Sequence, residues 1–272
     1  MAFRILKNKE TLVDQYGISA TFVKTELDEE PSDTIKQLNQ NIKTQGFSWS
    51  YPQVDGIGLD DNASYFGAVL TGSIDLEGDN RLCNTQVLHN SFFSGQFRSL
   101  FISDATELCL IKVPTYRAPI VQGIIEPSGR LKYIDGAYNS LLMSPPKKGE
   151  PCLNALYMTG KIDQTPHTHP STRIGFILRG QVIVRIWDKE GEGANVTHEW
   201  VLTQGDAWFM EQETIHSFHT TETDDMCLFA FHPDSDFGPT DEEAPMINRT
   251  IIQGASTKGE NEPGKRLKVQ VT

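Results

Sequence analysis

The chain has 272 residues, room for two domains of ordinary size, and its 38% hydrophobic and 22% charged residues are the balance of a globular protein. A formal charge of −12 repels phosphate backbones and anionic lipid, so nucleic acid and membrane are excluded as expected partners. Met1 to Glu10 contain no apolar run of the kind a signal peptide needs, and no apolar stretch approaches the roughly 18 residues of a membrane-spanning helix. The expected compartment is the cytoplasm. Cys83, Cys109, Cys152 and Cys227 lie far apart with no Cys-x-x-Cys pair, the usage of a reducing environment.

In chain order, Pro31 to Lys43 opens with capping residues and spaces Ile35, Leu38 and Ile42 along one face, which predicts a short helix. From there strand signals dominate. Val, Ile, Phe and Tyr recur in short runs cut by Gly, Asp, Asn and Pro, at Tyr65 to Leu76, Glu107 to Val113 and Leu153 to Met158. The pattern resumes at Ile174 to Leu178, Gln181 to Trp187, Thr197 to Leu202, Ala207 to Met210 and Met226 to Phe231. Evenly spaced short strands with tight turns predict an all-β sandwich or barrel of the jelly-roll kind. The polar, proline-rich stretch Ser144 to Pro151 is the expected boundary. It gives a β-rich domain at residues 1–145, a second at 146–250, and a polar tail at 251–272 that could end free or pack on a neighbouring subunit.

Six of the seven histidines lie between His167 and His232. In an extended segment residues two apart face the same side, so His167 and His169 would present both imidazoles to one interior. Further on, Gly205-Asp206 leads into an apolar strand, a polar loop and then His216 at the start of the next strand. Neutral imidazole is the commonest ligand of zinc, iron, copper, nickel and cobalt. His198 reads as a surface residue and His232 as a turn residue. His219, of opposite strand parity to His216, faces out or meets an acceptor behind the ligands. Tyr157 and Gln164, just before the His-x-His, are candidates to line a pocket.

These motifs resemble the cupin superfamily. Gly160, His167, His169 and Gly180 match its first motif, and Gly205 and His216 its second. The resemblance implies a jelly-roll barrel at 146–250 with a metal on His167, His169 and His216. Two departures stand out. Glu211-Gln212-Glu213 replaces the family's Pro-x-Gly turn, and Arg173 stands where many cupins place a glutamate ligand. A guanidinium stays protonated and cannot ligate, so three neutral histidines remain. With an inward Arg173 such a pocket calls for an anion. Arg173 is the candidate to grip a carboxylate or enolate-like substrate, the alternatives being a guanidinium turned out to solvent or paired with a structural acid such as Glu211 or Glu213.

The first half, with Tyr65 to Leu76, Leu88 to Gly95 and Glu107 to Val113, looks like a worn copy of the second, so two tandem barrels are expected. It holds only His89 and cannot repeat the metal site. Its expected role is structural, closing one mouth of the second barrel or supplying a subunit interface. The resemblance implies a non-haem Fe(II) dioxygenase that uses O₂, Arg173 points to a small anionic substrate, and exposed edge strands point to a homodimer. Alternatives are a redox-neutral lyase, isomerase or decarboxylase using zinc, manganese or nickel, with copper a further candidate metal, and a metabolite-binding protein without turnover.

Overall fold

In the computed structural model, the described residues are 2–25, 57–78, 84–103, 105–189, 191–235, 251–252 and 255–256. The helix expected at Pro31 to Lys43, Cys83 and most of the tail lie outside them. Twenty-two strands follow in chain order. The first twelve are β1 (Phe3–Leu6), β2 (Thr11–Val13), β3 (Ser19–Lys24), β4 (Ile57–Gly58), β5 (Ala63–Thr71), β6 (Ser73–Glu77), β7 (Thr85–Leu88), β8 (Ser91–Gly95), β9 (Ser99–Ile102), β10 (Glu107–Pro114), β11 (Val121–Ile124) and β12 (Leu131–Lys132). After a 3₁₀ turn at Ile134–Gly136 come β13 (Tyr138–Met143), β14 (Cys152–Thr159), β15 (Arg173–Arg179), β16 (Gln181–Trp187), β17 (Val196–Thr203), β18 (Ala207–Met210), β19 (His216–His219) and β20 (Asp225–His232). The short pair β21 (Ile251–Ile252) and β22 (Ala255–Ser256) closes the series.

The strands build two antiparallel barrels. In the first, a six-stranded sheet of order β11-β8-β5-β10-β3-β2 faces a four-stranded sheet of order β4-β9-β6-β7. The second sets a seven-stranded sheet, β1-β18-β15-β20-β14-β13-β12, against a three-stranded one, β17-β16-β19. The expectation of an all-β jelly roll with two tandem barrels is met.

Side-chain alternation explains why the central strands read as continuous apolar runs. On β5, Phe66, Ala68 and Leu70 point to one core while Tyr65 and Val69 fill another. On β20, Cys227, Phe229 and Phe231 share that first core while Met226, Leu228 and Ala230 enter the second barrel. The two large sheets therefore pack back to back, with their central strands buried on both faces. Aromatic pairs tie them, with Phe22 and Phe176 centroids 5.7 Å apart and Phe66 and Phe231 5.1 Å apart. The first barrel thus braces the outer wall of the second, where the sequence had suggested it might close a mouth.

The boundary expected near residue 145 falls inside one sheet. β13 pairs with β14 across the proline-rich stretch, and β1, from the far N-terminus, pairs with β18 through Phe3↔Met210 to Leu6↔Ala207. The prolines mark a connection between neighbouring strands, a use as favourable to them as a domain linker. Phe3, 1% exposed, stacks on Trp208 at 5.9 Å and tilts against Trp200 at 5.0 Å, so the first strand is part of the second barrel's core.

A candidate metal centre

His167 and His169 do not stand in a regular strand. Pro166 and Pro170 flank the pair, and neither can donate a ladder hydrogen bond. What remains is one antiparallel bridge, His167 opposite His216, in which His167 N–H donates to His216 O at 3.0 Å and His216 N–H to His167 O at 2.9 Å. Gln164 N–H donates to Phe218 O at 3.2 Å and Glu213 N–H to His169 O at 2.8 Å, which lays the whole segment along β19. His216 opens β19 and is buried. In the turn before it, Glu213 holds φ +57, the left-handed conformation that a glycine adopts freely. Its carboxylate accepts from Thr168 Oγ at 3.0 Å and clips the turn to the His-x-His segment.

The three histidines converge as the resemblance to cupins implied. One ring nitrogen from each lies within 4.8 Å of the others, and the centroids are 4.5 to 5.1 Å apart. His167 Nδ1 lies 2.9 Å from Thr165 O and His216 Nδ1 2.9 Å from Thr214 O. A carbonyl can only accept, so Nδ1 is the donor on both rings and Nε2 is the nitrogen left to face a metal. Burial, then Arg173, pushes His169 down to about 2. Burial, then His167, pushes His216 down to about 3. Both stay neutral at physiological pH, as ligation requires. Three imidazoles with two tautomers fixed by backbone carbonyls fit a divalent metal of the iron or zinc kind.

The cavity beside the triad measures about 40 Å³. Asn154 and Leu156 of β14, Leu228, Ala230 and His232 of β20, and Phe218, Gln164 and Tyr133 complete its wall. Gln164 lines it as expected, with Oε1 accepting from Phe218 N–H at 3.1 Å. Tyr157 does not. On β14 its neighbours Asn154 and Leu156 face the cavity, so parity turns Tyr157 to the core between the barrels, where its hydroxyl donates to Glu126 O at 2.8 Å.

Arg173 shares the inward parity of Ile177, yet its guanidinium is drawn to the rim. NH1 donates to Asp234 Oδ1 at 3.3 Å and to the Ser171 hydroxyl, which in turn donates to the same carboxylate at 2.5 Å. The structural acid is thus Asp234, and neither Glu211 nor Glu213 is its partner in this pair. Nε of Arg173 is buried without a partner. The charge still acts on the site, since burial and then Arg173 hold His232 down to about 3.

His232, read from sequence as a turn residue, lines the cavity 6.3 Å from His169, and Asn154 and Tyr133 were not foreseen there. Even parity with Leu228 and Ala230 was the available signal for His232. His198 is exposed and stacks on Trp200 at 5.4 Å. His219 lies behind the ligands, 2.7 Å from Ser217 Oγ and 3.3 Å from Asp163 Oδ1. A larger cleft of about 1040 Å³ opens between the barrels near His89, Glu126 and Arg179, but among the described residues only the His167 cluster gathers metal-ligating groups. No helix among the described residues is long and apolar enough to cross a membrane.

Comparison of the sequence with curated proteins gives no match. Among solved structures, a cupin 2 conserved barrel domain protein from Leptotrichia buccalis is similar in fold at 12% identity and TM-score 0.50, covering 84% of this chain and 91% of its own. AerE from Microcystis aeruginosa is similar at 12% identity and TM-score 0.50, covering 84% and 90%. HEPD from Streptomyces albus, with 2-hydroxyethylphosphonate and Fe(II) bound, is similar at 9% identity and TM-score 0.51, covering 87% and 74%. The family described as "Cupin domain" matches residues 155–232, the strands that carry the triad. This protein has the cupin fold, and its residues 155–232 are a cupin domain.

Proposed function

We propose that His167, His169 and His216 hold a divalent metal, Fe(II) in our reading, and that the protein is an oxygenase acting on a small anion. The observation that carries the proposal is the triad itself, with ring nitrogens within 4.8 Å and Nδ1 of His167 and His216 committed to the carbonyls of Thr165 and Thr214. Bound there, Fe(II) would supply open coordination positions and reducing electrons for chemistry between O₂ and a neighbouring substrate. The Streptomyces albus protein of similar fold was solved with Fe(II) and an organic anion, which supports this choice of metal.

The chain's own residues supply position and field. Thr165 and Thr214 fix the two rings, and the His167–His216 bridge sets their separation. Leu156, Phe218 and Leu228 give the cavity an apolar wall. Arg173 contributes positive charge from the rim and favours an anion, although Asp234 offsets part of it. The anion's source in the cell, the homodimer and the cytoplasmic setting remain part of the proposal.

A three-histidine neutral set equally suits zinc, as in Lewis-acid catalysts, so a redox-neutral lyase, isomerase or decarboxylase is the second reading. The deciding experiment measures oxygen uptake by the Fe(II)-loaded protein against a panel of small carboxylates and thiols. We expect uptake with at least one of them, with substrate-derived product incorporating oxygen. Turnover that proceeds unchanged under argon would select the redox-neutral reading, and binding of a panel member without turnover would select a metabolite-binding protein.

A further inference from the structure

Asn154 stands on β14 between Ala230 of β20 and Leu141 of β13, with its side chain on the cavity face. It is 8% exposed. Nδ2 donates to Asn139 Oδ1 at 3.2 Å, while Oδ1 of Asn154 has neither a hydrogen-bond partner nor contact with solvent. Buried polar atoms without a partner are few in folded proteins, and each asks for an explanation. The apolar members of this wall, Leu156, Leu228 and Ala230, carry no side-chain donor, and none of the polar members, Gln164, Tyr133 and His232, makes a hydrogen bond to it. An apolar residue of similar size would fill the position at no such penalty.

An amide oxygen accepts only, so its complement is an O–H or N–H group. A divalent metal and the buried Arg173 disfavour an ammonium group and favour an anion, and the smallest donor an organic anion can carry to the amide is a hydroxyl. The space also limits the ligand, because about 40 Å³ holds about three water molecules or a group of a few heavy atoms. We propose that Asn154 determines specificity at this site, its Oδ1 accepting a hydrogen bond from the hydroxyl of a two- or three-carbon hydroxy acid whose carboxylate lies toward the metal. This inference rests on the metal reading above.

The test uses the full chain loaded with Co(II), after metal content has been measured, and titrates glycolate and acetate into wild type, Asn154→Leu and Asn154→Ala. Leucine has nearly the shape of asparagine and removes the orphaned acceptor, and alanine serves if leucine does not fold. We expect the ratio of glycolate to acetate affinity to fall about tenfold in either variant, the loss of one neutral hydrogen bond, with metal content and acetate affinity unchanged. Because chelation by the hydroxyl is common to all three proteins, only the change in ratio reports on Asn154. Full metal content with an unchanged ratio overturns this inference and leaves the metal reading standing. Absence of metal from the wild type overturns both.

Discussion

His167 and His216 face each other as a single antiparallel bridge, each backbone N–H donating to the other's carbonyl, at 3.0 and 2.9 Å. The bridge fixes the backbone of two residues of the proposed centre, and the Nδ1 contacts with Thr165 O and Thr214 O then orient their rings. It also explains why a segment broken by Pro166 and Pro170 can hold the position of two rings.

Arg173 and Asp234 should act on an anion with opposite sign. Replacing Arg173 by Met removes a buried positive charge and leaves the Asp234 carboxylate at the rim. Acetate affinity of the metal-loaded protein should fall about tenfold. Asp234→Asn should raise it by a similar factor, since the guanidinium then acts uncompensated. Titration calorimetry at low salt measures both, and equal affinities in the three proteins would place the guanidinium's field outside the cavity.

Acid should destabilise the metal-free protein from about pH 6.5 downward. His169 is held down to about 2, and His216 and His232 to about 3, with burial the leading cause for each. In the unfolded chain each returns to about 6.5, so below that pH the unfolded state binds more protons. Stability is therefore full above about pH 6.5 and declines as pH falls toward 3, with a slope approaching three protons per chain from these groups. Urea midpoints taken from pH 8 to pH 4 would show it, and a flat profile below 6.5 would contradict it. Added metal should steepen the decline, because protons and metal compete for the same nitrogens.

The N-terminal strand should matter to the second barrel. Phe3→Ala empties a buried site between Trp200 and Trp208 and should cost about 3–5 kcal/mol in urea unfolding. A cost under about 1 kcal/mol would mean that β1 contributes little to the barrel it joins. The metal content of this variant at low temperature should equal wild type, since Phe3 touches none of the three histidines.

Much of this was legible in the residues. Apolar runs punctuated by Gly and Asp forecast the strands, because period two and turn chemistry are local properties, while the joining of His167 and His169 with the distant His216 came from the resemblance to cupins. Closeness in sequence to the His-x-His misled at Tyr157, whose register depends on which face of β14 meets the other barrel, a long-range fact. The same limit hid Asn154 and His232, which reach the cavity only through the β14–β20 pairing. Arg173 has the strand parity expected of it, but its guanidinium is drawn to the rim by Asp234, 61 residues later in sequence, and spacing gives no sign of that partner. Nor could composition show that Phe3 belongs with Trp208.

The central claim is most directly tested by metal analysis of the protein purified without chelator, alongside His167→Ala and His216→Ala. The account predicts near-stoichiometric metal in the wild type, iron when purification excludes air, and its loss in both variants while the fold persists. Metal absent from the wild type, or retained undiminished by both variants, would contradict it.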